Sequence, residues 1–265
     1  MIFRSNNIKL VFVALFALSM GSLGFAREND GSLPLKSSIR QKQQDKRDVR
    51  FFEVDTFAYH FQDSSEEIDY EQGYTDTTRT EESKLSNFYS SYLRFVYISR
   101  ERAMRLGLRT YGGNEAYLLY GWRFSASEWG TLLKYTWSDR RTRGASGSND
   151  EYLHDIDAGL YAIFYRQLFD TDVEYGLSMG GLFLNQESKK EGKIASSAVG
   201  PGYFFSFGSK LLWPLEFWKK SKIRLLTSFS YEYQSVELAQ STERSIRSVK
   251  SRHIEIVPIG IRTRF

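Results

Sequence analysis

The chain has 265 residues, no cysteine and a formal net charge of +4 at pH 7, which allows one or two domains and excludes a small scaffold held together by disulfides. Aromatic residues make up 16% of the chain, but after residue 26 no stretch approaches the roughly 18 uninterrupted apolar residues of a membrane-spanning helix. This charge balance indicates no particular partner. We expect no nucleic-acid partner and no cofactor.

The N-terminus has the three parts of a secretory signal peptide. Arg4 and Lys9 stand in a short polar lead, the stretch Leu10–Leu18 is almost wholly apolar, and small residues precede a predicted cleavage between Ala26 and Arg27. An N-terminal membrane anchor is the alternative, but the apolar stretch is short for one. Cleavage removes two cations and no acid, so the formal net charge falls from +4 to +2. The sequence therefore predicts an exported protein.

Residues 27–49 are polar and charged and show no apolar periodicity, which predicts a flexible periplasmic segment. From Arg50 the chain alternates between apolar and polar residues, the period of half-buried β-strands. Ten candidate strands follow. The clearest apolar faces are Met104, Leu106 and Leu108; Leu118, Tyr120, Trp122 and Phe124; Leu133, Tyr135 and Trp137; Ile156, Ala158, Leu160, Ala162 and Phe164; and Val173, Tyr175, Leu177, Met179 and Phe183.

The remaining candidate strands are less regular. In the first, about 50–61, two acidic residues share a face with aromatic residues. We therefore place the side chains of the opposite face toward lipid. The second covers about 85–98, and the last three cover about 201–212, 222–233 and 249–265. Their predicted outward residues are Phe52, Val54, Thr56 and Ala58; Leu93, Phe95 and Tyr97; Tyr203, Phe205 and Phe207; and Ile223, Leu225, Phe229, Tyr231 and Tyr233.

The connections between these strands alternate in length. Every second connection is mostly long and polar, and those between are mostly shorter, as in transmembrane barrels with long outer loops and short periplasmic turns. The sequence therefore predicts one all-β domain at 50–265, a closed antiparallel transmembrane β-barrel of ten strands with both termini in the periplasm. Eight or twelve strands, or a soluble barrel or sandwich, are the alternatives. The connections of the mostly long set are 62–84, 138–151, 185–200 and 234–248, with the tight hairpin 112–114 as the short exception.

The end of the chain carries the most specific pattern. Val257, Ile259, Ile261 and Thr263 alternate with Gly260 and Arg262 before a terminal Phe265, and Pro258, which cannot donate a ladder hydrogen bond, interrupts the strand. This pattern resembles the C-terminal targeting signal of bacterial outer-membrane β-barrel proteins. The resemblance implies a location in the bacterial outer membrane among lipid and lipopolysaccharide. It also implies periplasmic chaperones and the barrel-assembly machinery as partners during biogenesis.

Many charged residues fall on the predicted inner face. A barrel of about ten strands is only slightly wider than the eight-stranded kind, whose interior is filled by side chains. We therefore expect these charges to pair and close the lumen, because an unpaired buried charge is unfavourable. A narrow water-filled pathway with a mild anion preference is the alternative. The predicted lumen residues are Arg94, Arg105, Arg109, Arg123, Lys134, Lys210, Arg224, Arg262 and Arg264, with Glu53, Asp55, Asp155, Asp157, Glu174 and Glu232.

No nucleophile elbow, phosphate-binding loop or metal-ligand spacing appears in the chain. Three histidines, His60, His154 and His253, fall near predicted outer strand ends, and the run His154–Asp157 faintly resembles rim groups of the omptin family of outer-membrane proteases. That resemblance covers four residues only, and His154 and Asp155 point to opposite faces of a regular strand. An omptin-like rim enzyme is therefore our least favoured interpretation.

The predicted outer loops are the remaining candidates for function. The first is acidic and rich in Thr, whereas the third carries Arg140, Arg141 and Arg143, which suit the phosphates of lipopolysaccharide. We expect a non-catalytic outer-membrane barrel, structural or ligand-binding through its extracellular loops. A narrow diffusion channel is the main alternative.

Overall fold

The computed structural model describes residues 49–264 apart from gaps at 71–74, 88–91, 110–113, 125, 145–146, 169–170, 191–192, 214–222 and 241–244. The predicted signal peptide with its cleavage site, most of the predicted periplasmic segment, and Phe265 lie outside the described residues. Within them, no helix is long and apolar enough to cross a membrane.

The described chain forms one antiparallel sheet that closes on itself. Each strand from β3 to β11 pairs with the next, and β11 pairs back onto β1. The strands are β1 (Val49–Tyr70), β2 (Thr75–Asn87), β3 (Leu93–Ile98), β4 (Arg102–Arg109), β5 (Asn114–Arg123), β6 (Ser127–Gly144), β7 (Gly147–Leu168), β8 (Thr171–Lys190), β9 (Lys193–Trp213), β10 (Ile223–Gln240) and β11 (Ser245–Arg264).

Two of these strands share one side of β1. The first residues of β1 pair with β3, and its later residues pair with β2. The second candidate strand of the sequence, about 85–98, is therefore two separate strands. The predicted closed antiparallel barrel of ten strands is confirmed, with β2 as one extra strand.

The outer face of the barrel is apolar and the inner face is largely polar. Leu108 and Leu160 point outward with 54% and 64% of their surface exposed, whereas Glu128 points inward and is 0% exposed. Such an outer surface is unfavourable in water and suits contact with lipid. Predicted outward residues that the structure leaves exposed are Phe52, Leu93, Leu106, Leu108, Leu118, Tyr120, Trp122, Phe124, Leu133, Tyr135, Ile156, Leu160, Leu177, Met179, Phe183, Tyr203, Phe205, Ile259 and Ile261.

A β-bulge interrupts this alternation where β11 pairs with its neighbours. The β10–β11 ladder changes register between Leu226 and Ser228, and the β1–β11 ladder changes register on both sides of Phe57. Pro258 has no partner in either register. A bulge is one of the few places where a sheet accepts proline, because the bulged residue donates no ladder hydrogen bond.

The bulge reverses the side on which two predicted outward residues lie. Ala58 and Val257 point into the barrel, where they pack with Leu212 and Leu226 in a buried cluster. A bulge adds one residue to one strand, so every side chain before it faces the opposite way from the extrapolated pattern. The prediction for Ala58 and Val257 was therefore wrong.

The strands extend far beyond the apolar belt at one end of the barrel, the hairpin end. Most residues predicted as loops there belong to strands, and β6 and β7 pair as far as Gly144 and Gly147. Outside lipid both faces of a strand contact water, so no apolar alternation marks it in the sequence. The opposite end, where β1 begins and β11 ends, is the terminal end.

The wall of the barrel is lower at one place on the hairpin end. There β4 ends at Arg109 and β5 begins at Asn114. In the described ladders, β2 pairs with β1 alone, and β6 beyond Trp137 pairs with β7 alone. We call the gap between β2 and the segment 138–144 of β6 the notch.

The extra strand is held to β1 by side chains as well as by the backbone ladder. Arg79 Nε donates to Asp63 Oδ1 at 3.0 Å, and Arg79 Nη2 donates to Asp63 Oδ2 at 3.1 Å. These hydrogen bonds to Asp63 raise the pKa of Arg79 above its ordinary value. The bidentate geometry helps to define where β2, and hence one border of the notch, lies.

Candidate functional site

The centre of the lumen holds charged side chains that pair with one another, and several of them also line a second cavity of about 270 Å³. Arg105 donates to both carboxylate oxygens of Glu128 at 3.1 and 3.0 Å, and Tyr161 and Tyr165 donate to the same carboxylate at 2.7 and 2.5 Å. A second hydrogen bond of Arg105 reaches Glu174 at 3.5 Å. The buried carboxylate of Glu128 thus has four hydrogen-bond donors from three side chains.

A second group of ion pairs continues this network toward β1 and β11. Arg262 binds Glu53 and lies 2.7 Å from Glu174, and Lys210 Nζ lies 2.7 Å from Glu53 Oε2. The network has four cations and four carboxylates, so it is balanced in charge. We call it the plug, and its members are Glu53, Asp55, Arg94, Arg105, Glu128, Glu174, Lys210 and Arg262.

An apolar layer lies beside the plug on β1, β3 and β4. Phe51, Val96, Ile98 and Ala103 form a buried cluster. The guanidinium of Arg262 lies 4.2 Å from the centre of the Phe51 ring, which joins the two layers. An ion crossing the lumen would therefore meet a paired charge network and then an apolar contact layer.

On the hairpin side of the plug the lumen opens into a cavity of about 480 Å³. We call it the vestibule. Its volume lies in the range of small-molecule sites in proteins, roughly 300–1,000 Å³. Polar residues of β1 and β2 line one side, including Gln62, Ser64 and Thr80, and the edge of β6 at Thr136 and Ser138 lines another. Both borders of the notch thus line the vestibule.

The floor of the vestibule is a network of basic and acidic groups. Arg109 Nη2 donates to Glu255 Oε2 at 2.7 Å, and His60 Nδ1 lies 3.2 Å from the same oxygen. The rings of His60 and His253 stack with centroids 5.6 Å apart. Arg109 also lies 4.7 Å from the ring centre of Tyr92, so its charge is compensated from two directions.

One corner of the vestibule is acidic. Lys134 Nζ lies 2.6 Å from Asp157 Oδ2 and 2.7 Å from Glu232 Oε1. Gln234 Nε2 donates to Glu232 Oε1 at 2.9 Å and to Asp155 Oδ2 at 3.4 Å. Asp155 is 6% exposed, and among the described residues its Oδ1 atom has no hydrogen-bond partner.

The wall of the vestibule next to this corner is apolar. Leu153, Leu184, Val236 and Val249 line the cavity. A buried cluster that includes Phe204 packs behind this wall and contacts Leu184 and Val249. The vestibule therefore offers a ligand an acidic corner and a hydrocarbon surface side by side.

The structure sorts the predicted lumen residues into three groups. Arg94, Arg105, Glu174, Lys210 and Arg262, with Glu53 and Asp55, belong to the plug, and Arg109, Lys134, Asp155, Asp157 and Glu232 surround the vestibule floor and corner.

The third group lies at the terminal end of the barrel, where its members stand at the ends of their strands. There Arg123 is half-buried, Arg224 pairs with Asp172, and Arg264 is exposed. These three arginines keep the inward parity of their strands and stand at the rim of the barrel, so their place in the lumen stays a prediction.

Three residues of the site were not predicted. Glu128 lies between the predicted apolar faces that end at Phe124 and begin at Leu133, although its parity with Lys134 on β6 puts it inside. Glu255 was missed because its strand was assigned one parity across the bulge at Pro258. Tyr92, which packs against Arg109, fell on the predicted inner face but was not counted among candidate residues.

His154 points outward, as the alternation predicts. Its Nδ1 atom lies 2.8 Å from the hydroxyl of Tyr135, and the two rings stack. The other two histidines point into the vestibule.

No family model matches the sequence, and no curated protein matches it. Solved structures with a similar fold include the outer membrane protease OmpT from Escherichia coli, at 7% identity and a TM-score of 0.42, with 82% of this chain and 96% of that chain covered. The outer membrane protein OprG from Pseudomonas aeruginosa is 12% identical, with a TM-score of 0.38 and 83% and 97% covered. Neisserial surface protein A is also 12% identical, with a TM-score of 0.33 and 79% and 97% covered. These structures are similar to this chain in their barrel fold, and the likeness concerns the fold alone.

Proposed function

We propose that this protein is a non-catalytic outer-membrane barrel that does not conduct ions and that binds a ligand from outside the cell in its vestibule. The plug is the observation that carries the proposal. Seven of its eight members are at least nine-tenths buried, and its four cations and four carboxylates pair with one another. A channel function would require these pairs to separate.

A location in the bacterial outer membrane is supported by three features. The outer face of the barrel is apolar, the N-terminus has the pattern of a cleaved signal peptide, and the chain ends in a targeting-like strand. Long extensions of such barrels face outward and short turns face the periplasm. The hairpin end, and with it the vestibule, is thus assigned to the cell exterior.

Opening the lumen would be energetically unfavourable. Removing one partner of a buried ion pair typically destabilises a protein by about 3–5 kcal/mol, because the remaining charge is left buried and uncompensated. Glu53 alone contacts both Arg262 and Lys210. A narrow anion-preferring pathway is therefore the less favoured function.

Planar-bilayer conductance of the refolded mature protein tests this closed state. We expect no steady conductance from the wild type. A variant with Phe51→Ala, Arg105→Ala and Glu128→Ala should conduct, because it removes side chains from both the plug and the apolar layer. Since both partners of the Arg105–Glu128 pair are removed, neither is left unpaired. Steady single-channel steps from the folded wild type would contradict the proposal.

A rim hydrolase is the second candidate. One specific observation favours it: Asp155, His60 and His253 line the same cavity, and His60 contacts the Glu255 carboxylate. A carboxylate that orients an imidazole is a common arrangement for general acid–base chemistry. Cleavage of unstructured peptides by the wild type, lost in both Asp155→Asn and His253→Ala, would favour this candidate over the non-catalytic one.

A further inference from the structure

We propose that the notch is the docking site for a β-hairpin of a partner protein, which adds two strands between β2 and β6 and completes the wall of the vestibule. This inference deepens the proposed function, on which it rests, because it names the class of partner that binds at the same outward-facing mouth. The number of missing strands, their direction and the two strand edges that border the notch carry it.

The notch is two strands wide. β2 and β3 pair with the same side of β1, so β2 stands above β3 in the wall of the barrel. Below the notch, β4 and β5 fill the space between β3 and β6. Above β4 and β5, no described strand lies between β2 and the segment 138–144 of β6. Because neighbouring strands are about 4.8 Å apart, two missing strands leave a gap of roughly 14 Å between these edges.

The directions of the bordering strands favour an even number of added strands. β2 runs from the hairpin end toward the terminal end, and β6 runs the opposite way. Direction reverses at each step of an antiparallel sheet, so two strands fit between these borders, whereas one or three would leave a parallel pairing. A hairpin that enters from outside with its turn pointing into the notch meets this condition. Its first strand would pair with β6 and its second with β2.

Both borders of the notch are regular strand edges. The β1–β2 ladder keeps one register from Thr75 to Asn87, and the β6–β7 ladder keeps one register up to Gly144. In the described ladders, neither β2 nor the segment 138–144 pairs on the side that faces the notch. An edge without a neighbouring strand is a template for strand addition by another chain, in which main-chain hydrogen bonds supply much of the affinity.

β2 lacks the features that usually protect an edge strand from pairing. Edge strands are commonly protected by proline, by a bulge or by an uncompensated lysine. β2 contains no proline, and its ladder with β1 contains no bulge. Its two basic side chains are compensated nearby, because Arg79 binds Asp63 and Lys84 Nζ lies 2.6 Å from Glu82 Oε2. Four threonines in this strand also favour β-structure.

The side chains beside the two edges indicate a polar partner. Thr78 and Thr80 of β2 and Thr136 and Ser138 of β6 line the vestibule. The outward residues of β2 are also mostly polar and exposed, including Thr77. A hairpin rich in Thr and Ser on both faces therefore suits the notch better than an amphipathic one.

The chain itself supplies no described segment for this position. Only the four residues 110–113 separate β4 from β5, and a connection of that length does not supply two further strands. β1 begins at the terminal end, so the segment before Val49 starts from the opposite mouth of the barrel. A second copy has no separate hairpin among its described residues, because all the described strands belong to one closed sheet. The occupant is therefore assigned to another protein.

Three synthetic peptides test this inference. The first is a hairpin of two Thr-rich strands of about seven residues, with a tight Asn-Gly turn and a disulfide between its ends. The second has the same sequence with N-methyl groups on its outer-edge amides, and the third is the second strand alone. Binding to the refolded full mature barrel in detergent micelles is measured by calorimetry, with empty micelles as the blank. We expect the first peptide to bind at least about tenfold more tightly than the others, because only it forms both ladders.

Amide hydrogen exchange locates the bound peptide. The notch-facing edges of β2 and of the segment 138–144 should gain ladder hydrogen bonds, so the hairpin should slow exchange there at least about tenfold. The hairpin-end residues of β8 and β9 do not border the notch and serve as the internal control. Their exchange should stay unchanged.

A variant that fills the notch from within its own chain is the sharpest test. Adding about six alternating Thr and Val residues after Arg109 and again before Asn114 lengthens β4 and β5 into the gap. This variant should bind the hairpin at least about tenfold more weakly. The same additions made of Gly and Ser do not favour strands and should retain binding. Heat-modifiable gel mobility checks that each variant folds, and if the first does not, the three peptides on the wild type still decide.

Other outcomes would overturn this inference. Equal binding of the N-methylated hairpin would exclude ladder hydrogen bonds, equal binding of the single strand would contradict the two missing strands, and no binding at millimolar concentration would exclude a hairpin. A wild-type dimer in analytical ultracentrifugation that the filled variant loses would assign the notch to a second copy. A barrel that is silent in the bilayer but binds no hairpin keeps the closed state and loses this inference. A conducting barrel that binds the hairpin loses the closed state and keeps the docking site.

Discussion

Arg105 and Glu128 pair over the inner face of β5, with Arg105 Nε 3.1 Å from Glu128 Oε1 and Nη2 3.0 Å from Oε2. Neither side chain has appreciable contact with solvent. The two residues are 23 positions apart in the chain and lie on β4 and β6, with β5 between them. Their pairing therefore depends on the register of three consecutive strands.

The first prediction concerns this pair. Glu128→Gln leaves Arg105 and two tyrosine hydroxyls without their carboxylate, so we expect a loss of about 3–5 kcal/mol in the free energy of unfolding. Urea unfolding in lipid vesicles, followed by tryptophan fluorescence, measures it. Arg105→Met with Glu128→Leu should lose less, because no charge is left unpaired. Glu101→Gln, at an exposed turn residue, serves as the control.

The second prediction concerns glycines that stand opposite each other in neighbouring strands. Gly159 and Gly180 are register partners, and a Cβ atom on Gly180 would lie 2.2 Å from the backbone oxygen of Ala158. Backbone atoms within a ladder cannot move away easily, so Gly180→Ala should destabilise the barrel by about 1–3 kcal/mol.

Gly176 on the same strand is the matched control, because the nearest atom to an added Cβ is Ile163 Cγ1 at 3.9 Å. Gly176→Ala should therefore have little effect in the same urea titration. Equal losses for both variants would mean that steric contact at Gly180 is not the cause.

The third prediction concerns the bulge. Deleting Pro258 would join Val257, which points inward, directly to Ile259, which points outward, so the alternation of β11 becomes regular and each side chain keeps its present face. We therefore expect the deletion variant to keep the heat-modifiable folded form. Pro258→Ala keeps the number of residues and should also fold. Loss of the folded form in the deletion variant alone would show that the bulge itself is required at this point.

The fourth prediction concerns lipopolysaccharide as a proposed partner. Arg140, Arg141 and Arg143, whose side chains lie outside the described residues, belong to the β6–β7 hairpin, where the register sets Glu151 opposite Arg140 and Asp150 opposite Arg141. Replacing the three arginines with Ser should weaken binding to vesicles that contain lipopolysaccharide, and added salt should reduce the difference. Asp150→Asn with Glu151→Gln should strengthen binding, because it removes competing acids.

The barrel itself could be predicted from the sequence because lipid imposes a strict period of two on the strands that cross it. Leu106 and Leu108, separated by an inward glycine, illustrate this signal. The same period fails at Pro258, since one bulged residue reverses the parity of Val257. It also fails in the long hairpins, where water on both sides imposes no alternation.

The partners within the site could not be predicted from local sequence. Glu53 and Arg262 are 209 residues apart, and their contact exists only because β1 and β11 close the barrel. The sequence predicts that both are inside, but which charge meets which depends on strand register and tilt. Lys134 illustrates the same point, because its ion pairs with Asp157 and Glu232 join three strands.

The notch bears on how large a ligand can be. β2 and the end of β6 border the vestibule without pairing to each other in the described ladders. A closed cavity limits the volume of its ligand. A cavity that opens sideways through a notch limits only the thickness of the part of the ligand that passes through the notch. A long molecule can place one end group in the vestibule and pass its remainder sideways through the notch. The cavity volume is therefore a measure of the recognised end group and sets no upper limit on the length of the molecule that carries it.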